Sequence, residues 1–331
     1  MKTYKVGILG ACGMVGGTML QVLEKRKLPV SELYLFDVGA AVGTVVEFNG
    51  KNVMVEESTP SVFDRGIDIC LFAVDGPISK KLAPIAAEKG CLVIDNSSAW
   101  RMEPDVPLIV PEVNGEDIFK HKGIISSPNC STIQAMVALY PLHKAFGIKR
   151  VIYSTYQSVA GAGVAGIADL RGTIAGEEPK CFPYPIAGNI IPRIDVFGEN
   201  GYTGEETKMI EETKKILHAP TMKITATTVR VPVEIGHCES INLEFEKPYE
   251  LEEVRRILQN SPGIVVQDDK EKDFYPTPRL VAGTDEVYVG RIRRDFSAEN
   301  ALNIWVVADN VRKGAATNAV QIAERFIKGE C

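Results

Sequence analysis

The stretch VGILGACGMVGGTMLQVL, residues 6–23, limits the possible fold more than any other part of the chain. A short apolar run leads into Gly10, Gly13 and Gly16, and the last of these opens a run with helical spacing. Glycines at this spacing permit a tight turn and bring backbone N–H groups close to a pyrophosphate at a helix N-terminus, a variant of the dinucleotide-binding fingerprint. Asp37 ends the next apolar run, about twenty residues beyond Gly16, where a carboxylate accepts hydrogen bonds from the ribose hydroxyls of NAD and repels the extra phosphate of NADP. An aspartate ending a strand is also an ordinary turn residue, and three glycines can simply relieve helix–strand packing.

The rest of the first half keeps this rhythm. YKVGILG, ELYLFD, DICLFAV and CLVIDNSS read as strands, with MVGGTMLQVLEKRK and ISKKLAPIAAEKG as helices between them, the alternation of a parallel sheet with crossover helices. Asn49-Gly50 separates two alternating runs and predicts a hairpin. After Arg150 the pattern changes. RVIYSTYQSV, MKITATTVRVPV, CESINLEFEKP and EVYVGRIRRDF alternate, which suits an antiparallel sheet with one covered face. The glycine- and proline-rich residues 160–204 are too long for a simple connector, and NAVQIAERFIKG near the end is an amphipathic helix.

Seven cysteines, at 12, 70, 91, 130, 181, 238 and 331, are scattered and odd in number, which favours a reducing cytoplasm over a disulfide framework. One of them stands out. In ISSPNCSTIQAMVALY, residues 125–140, Cys130 falls where helical spacing begins, with Pro128 and Asn129 as start signals. The free N–H groups and dipole of a first helical turn stabilise a thiolate and make it a usable nucleophile, although a lone cysteine is as readily a buried structural residue. A thiolate beside a nicotinamide suggests addition to an aldehyde, loss of hydride and opening of the resulting thioester. The proton at the hemithioacetal oxygen needs a carrier, and His237 is the best placed of the four histidines. Arg230 and Glu234, in TTVRVPVEIGH, offer a cation and an anion that could clamp the carboxylate and ammonium of an amino acid. No histidine or cysteine spacing matches a metal site, so none is expected. A net charge of -6 without a sustained basic run argues against nucleic acid, and no apolar run reaches membrane-spanning length.

The motifs together resemble the aspartate-semialdehyde dehydrogenase family, in the branch whose catalytic motif reads Pro-Asn-Cys-Ser-Thr, here Pro128 to Thr132. The similarity runs through GACGMVG, DNSSAWR, PLIVPEVN, SPNCSTIQ, STYQSVAGAG, RVPVEIGHCES, VGRIRRD and WVVADNVRKGAA. It implies Cys130 as the residue that forms the acyl-thioester, His237 as acid/base and Gln157 as the residue orienting the substrate. It further implies Arg230 on the substrate carboxylate, Glu234 near its amino group, and Arg101, Asn129 and Lys208 on the phosphate. Cys12, Gly13, Met14 and Val15 resemble the cofactor loop, and Ala160, Gly161 and Asn310 further cofactor contacts. The implied reaction is reductive dephosphorylation of 4-phospho-L-aspartate to L-aspartate 4-semialdehyde with NADPH or NADH, a step feeding lysine, threonine, methionine and diaminopimelate synthesis. The implied architecture is α/β. A Rossmann-like dinucleotide-binding domain covers residues 1–129 and is completed by a C-terminal helix at 311–331. An α+β catalytic and dimerisation domain with a largely antiparallel sheet covers residues 130–310, and the chain forms a homodimer or homotetramer.

One segment departs from the family. Where that branch carries a Ser-x-Arg-Ser-type ligand for the NADP 2'-phosphate, this chain reads FDVGAAVG, residues 36–43, with small apolar residues in place of those ligands and Asp37 just before them. NAD is therefore expected to serve at least comparably with NADP. Two rivals remain at this level: an N-acetyl-glutamyl-phosphate reductase-like enzyme, whose thiol motif differs, and a non-catalytic dinucleotide-binding redox sensor, which leaves Arg101, Lys208 and Arg230 without a task.

Overall fold

The computed structural model describes residues 2–329. Met1, Glu330 and Cys331, which belong to the readings of the N-terminal start, the cysteine set and the 311–331 helix, lie outside the described residues. The chain forms two compact units. One runs up to Pro128 and is rejoined from Ala315 onward, and the other spans Asn129–Gly314.

The first unit is built from β1 (Tyr4–Leu9), α1 (Met14–Arg26), β2 (Val30–Asp37), β3 (Val45–Phe48), β4 (Lys51–Glu57), β5 (Ile69–Phe72), α2 (Gly76–Glu88), β6 (Leu92–Asp95), α3 (Pro111–Asn114) and β7 (Ile124–Ser126). Its seven strands lie in the order β3-β4-β2-β1-β5-β6-β7. All neighbours are parallel except the β3/β4 hairpin, whose Asn49-Gly50 turn has φ of +49° and +73° as a type I′ turn requires. Between β1 and α1 the backbone turns at Gly10, φ +84°, where a Cβ would stand 2.4 Å from the Ala73 carbonyl oxygen; one at Gly16 would stand 2.0 Å from that of Gly10. The terminal helix α9 (Thr317–Lys328) returns to this unit because Ala319, Val320, Ile322 and Ala323 line one face and are buried with Ile8, Leu71 and Ile94. Each larger side chain so buried contributes about 1.5–3 kcal/mol. Asn318 secures the contact by donating to the Ile109 carbonyl at 3.0 Å.

The second unit contains α4 (Cys130–Phe146), β8 (Ile148–Gln157), α5 (Gly163–Ile174), α6 (Gly204–Ile216), β9 (Lys223–Arg230), β10 (His237–Phe245), α7 (Leu251–Gln259), β11 (Ile264–Val266), α8 (Pro278–Val281), β12 (Val287–Asp295) and β13 (Ala301–Ala308). The six strands run β11-β12-β13-β10-β8-β9, antiparallel in the middle and parallel at both edge pairs. Because β8 and β9 are parallel neighbours, the chain between them must cross over, and residues 158–222 are that crossover. They carry a small core of their own, Val159, Leu170, Ile186 and Ile191, against which Phe182 packs. Asp169 pins the loop by accepting the backbone N–H of Lys180 at 2.6 Å and of Phe182 at 3.1 Å. Residues 311–314, grouped above with the terminal helix, stay with the second unit: the Gly314 N–H bonds the Asp309 carbonyl at 3.0 Å, and a Cβ on Gly314 would stand 3.0 Å from that of Cys130.

Candidate active site

Cys130 is the first residue of α4, as the start signals predict. Asn129 caps the helix, its Oδ1 accepting from the backbone N–H of Ser131 at 3.0 Å and Thr132 at 3.3 Å. The same residue donates its backbone N–H to Glu212 at 2.7 Å and its Nδ2 to Glu205 at 2.9 Å. Cys130 is partly exposed, and a methyl at Gly314 would press on it. Gly314→Ala is therefore expected to lower kcat by roughly tenfold through displacement of the thiol, with steady-state kinetics as the check and an unchanged kcat as the contrary result.

Three strand ends supply the rest. In the β8/β9 register Gln157 pairs with Arg230, the last residues of their strands, and His237 opens the antiparallel β10 at the same end of the sheet. All three are buried. Gln157 donates to Glu205 Oε1 at 2.9 Å and to the Ser131 hydroxyl. Arg230 Nη1 donates to the Ser158 carbonyl at 2.7 Å, and its guanidinium lies 5.8 Å from the Phe182 ring. Burial lowers the pKa of Arg230, opposed by the Glu205 carboxylate, then Cys130 and Cys181. Gly161 lies so close to this pair that a Cβ would stand 2.6 Å from Arg230 Nη1 and 3.4 Å from His237 Nε2.

His237 is fully enclosed. Its Nδ1 accepts the backbone N–H of Ser158 at 3.0 Å, which leaves the ring proton on Nε2. Burial, then the nearby Arg230 charge, holds its pKa well below the ordinary histidine value, so the ring is neutral at neutral pH. Asn310 supports this arrangement: its Oδ1 accepts from the Ser158 hydroxyl and the Gly236 N–H, both at 2.9 Å. Ala160 is held beside it by its N–H to the Glu234 carbonyl at 3.0 Å.

Glu234 does not face Arg230. Its carboxylate takes two hydrogen bonds from Arg171, at 2.7 and 3.1 Å, on the surface. The strand stops at Arg230 and the chain turns before His237, so a spacing of four residues does not keep the two charges on one side. The buried carboxylate near Arg230 is Glu205, which the sequence reading missed. It sits on α6 with Lys208, whose Nζ lies 2.7 Å from Asp195 and 3.4 Å from Glu205. The signal was present: Glu205 precedes Lys208 by three residues, one helical turn on the same face.

In the first unit, Arg101 is buried and donates to the Ser127 carbonyl at 3.0 Å and the Asn96 carbonyl at 2.8 Å. Met14 and Val15 begin α1, and Gly13 precedes it without any side-chain cap, leaving the first-turn N–H groups for a ligand. Asp37 accepts the Cys12 N–H at 2.8 Å and the Val38 N–H at 2.9 Å, one bond on each oxygen, so each keeps a lone pair for a ribose hydroxyl. Burial and the Asp37 carboxylate push the Cys12 thiol up, the reverse of activation. Uncapped amides, close-approach glycines and a carboxylate at the end of β2 fit a dinucleotide. Among the described residues no group of three or more His, Cys, Asp or Glu side chains could hold a metal ion, and no helix is long and apolar enough to cross a membrane.

Comparison with known proteins adds to this geometry. The family model "Semialdehyde dehydrogenase, NAD binding domain" matches residues 5–121, and "Semialdehyde dehydrogenase, dimerisation domain" matches residues 139–313. The aspartate-semialdehyde dehydrogenase of Aquifex aeolicus is 53% identical over 334 residues, covering 98% of each chain. Aspartate semialdehyde dehydrogenase II of Vibrio cholerae, solved complexed with ASA, superposes with a TM-score of 0.95 at 46% identity over the whole of both chains. The Candida albicans enzyme solved with NADP gives 0.77 at 28% identity, covering 98% of this chain and 99% of that one.

Proposed function

The chain belongs to the aspartate-semialdehyde dehydrogenase family, and from that premise we propose that Cys130 carries the aspartyl group of 4-phospho-L-aspartate on its way to L-aspartate 4-semialdehyde. The observation that carries this reading is the convergence of Cys130, Gln157, Arg230 and His237 at one end of a single sheet and helix.

The Cys130 thiolate attacks the acyl carbon, the C–S bond forms, and the bond to the phosphate oxygen breaks, with both electrons leaving on phosphate. Arg101, Asn129 and Lys208 are the proposed ligands of that group, because departing phosphate carries about two negative charges and is stabilised by cations and N–H donors. Arg230 holds the substrate carboxylate through guanidinium hydrogens not given to Ser158, and Glu205 takes its ammonium. A buried carboxylate in that place suits a free amine better than an acylated one, which disfavours an N-acetyl-glutamyl-phosphate substrate. Gln157 links Glu205 to the helix start that bears the nucleophile. A bound nicotinamide supplies the hydride that reduces the thioester carbon. His237 Nε2–H donates to the oxygen as negative charge builds there, and any proton it gives returns when the C–S bond breaks and aldehyde is released. Gly10, Cys12, Gly13, Met14, Val15, Asp37, Ala160, Gly161 and Asn310 are the proposed cofactor residues.

The decisive assay follows phosphate-dependent reduction of NAD and of NADP with L-aspartate 4-semialdehyde. Reduction is expected with both cofactors, and none with either would end the proposal as well as favour a redox sensor. NAD is expected to be used at least as efficiently as NADP, since Val38 and Val42 lie exposed where a 2'-phosphate ligand would be needed and Asp37 ends β2. Asp37→Ser should therefore lower kcat/KM for NAD more than for NADP. A large wild-type preference for NADP would reject the cofactor assignment alone. The free thiols at 12, 70, 91, 130, 181 and 238 support a cytoplasmic setting, and the matched dimerisation segment supports a homodimer or homotetramer, to be resolved by light scattering.

A further inference from the structure

Beneath the catalytic row of the second sheet lies another polar row. Glu239 on β10 is paired in register with Thr155 on β8, and Thr155 with Thr228 on β9, each two residues below His237, Gln157 and Arg230 respectively. Side chains two apart on a strand share a face, so this second row lies directly under the first. All three are fully buried or nearly so, and neither Glu239 oxygen has a hydrogen-bond partner. The carboxyl facing it from α6, Glu205, has donors in Asn129, Gln157 and Lys208. Burial first, and then the Glu205 charge, push Glu239 well above the ordinary carboxyl range; Gln134 is the one group that works the other way.

Gln134 is the natural partner. It stands four residues after Cys130 on α4, on the same helix face, and its Nε2 donates to the His237 carbonyl at 3.3 Å. Its Oε1 is buried and has no donor, while an uncharged Glu239 has one hydrogen to give. We infer that Glu239 and Gln134 form a buried positioning pair, in which the uncharged Glu239 carboxyl donates to Gln134 Oε1 and Gln134 Nε2 holds the His237 carbonyl, fixing the spacing between the helix that carries Cys130 and the strand that carries His237. Glu239 touches no reacting atom in this scheme; it acts through Gln134. The role rests on Cys130 and His237 being the reacting pair.

The test uses the full-length enzyme and three variants. Infrared difference spectra of wild type against Glu239→Gln at neutral pH are expected to contain the carbonyl stretch of one protonated carboxylic acid; its absence overturns the inference. That readout is independent of turnover, so it separates failure of this pair from failure of the catalytic assignment. Glu239→Gln keeps an uncharged donor and should retain kcat within about threefold, whereas Glu239→Leu and Gln134→Leu should each lower kcat roughly tenfold or more with KM changed far less. If Glu239→Gln is as impaired as Glu239→Leu, an ionised carboxylate is needed and the pair is not as described. Should the leucine variant not fold, the glutamine variant and its spectrum still decide the matter.

Discussion

Cys130→Ser is expected to reduce turnover by at least about 10³-fold, because a serine hydroxyl at the same helix start has a pKa far above that of a thiol and no adjacent base to activate it. The His237 ring cannot take over that task. Its Nδ1 is committed to the Ser158 N–H and its Nε2 carries the proton. Cofactor affinity, measured by nicotinamide fluorescence titration, should be unchanged, since Cys130 is not among the proposed cofactor residues and the exchange of sulfur for oxygen leaves the glycine loop and Asp37 intact. Mass spectrometry of the wild type quenched with its acyl donor should place the aspartyl adduct on the peptide containing residue 130. An adduct on another side chain, or a serine variant that turns over at near wild-type rate, would remove the basis of the mechanism.

Arg230→Leu is expected to lower kcat/KM for aspartate semialdehyde by roughly 10²–10³-fold, mainly through KM, the range for losing a buried charge-assisted contact worth 2–5 kcal/mol. The variant takes the guanidinium away from the Ser158 carbonyl, which keeps the Gly161 N–H at 3.2 Å, and removes one of the two positive charges near the buried Glu205 carboxylate, that of Lys208 remaining. Arg230→Lys should recover only part of the loss, because an ammonium cannot serve a carboxylate and a carbonyl in the planar geometry of a guanidinium. Steady-state kinetics against both substrates would check this. If KM is unaltered and kcat alone falls, Arg230 acts on the transition state and is not the carboxylate ligand.

Much of this architecture is legible in the sequence because its signals are local. The glycine triad, the Asn49-Gly50 turn and the Pro-Asn start before Cys130 each act within a few residues, and the structure has a loop, a hairpin and a capped helix at those places. Strand β13 escapes the alternation test because Ala301–Ala308 is apolar along most of its length and mostly buried on both faces. The site is harder to read. Arg230 and Glu234 are close in sequence, yet a strand end intervenes and Arg171 captures the glutamate. Glu205 is distant in sequence from Cys130, and only the packing of α4, α6 and the sheet brings it to Gln157 and Asn129. The row formed by Glu239, Thr155 and Thr228 depends on strand register, which no single segment encodes.

The crossover between β8 and β9 has a further consequence for how such a protein can change. Two parallel neighbours oblige the chain to travel from one end of the sheet to the other, and here the obligatory detour bears Glu205 and Lys208, proposed for the substrate's ammonium and phosphate, while Cys130, Gln157, Arg230 and His237 sit on α4 and the sheet. Part of the proposed substrate recognition is thereby borne by the crossover, while Arg230 stays on the sheet beside the reacting groups. Changes within the detour leave untouched the register that sets Gln157, Arg230 and His237 side by side, since that pairing is made by β8, β9 and β10 themselves.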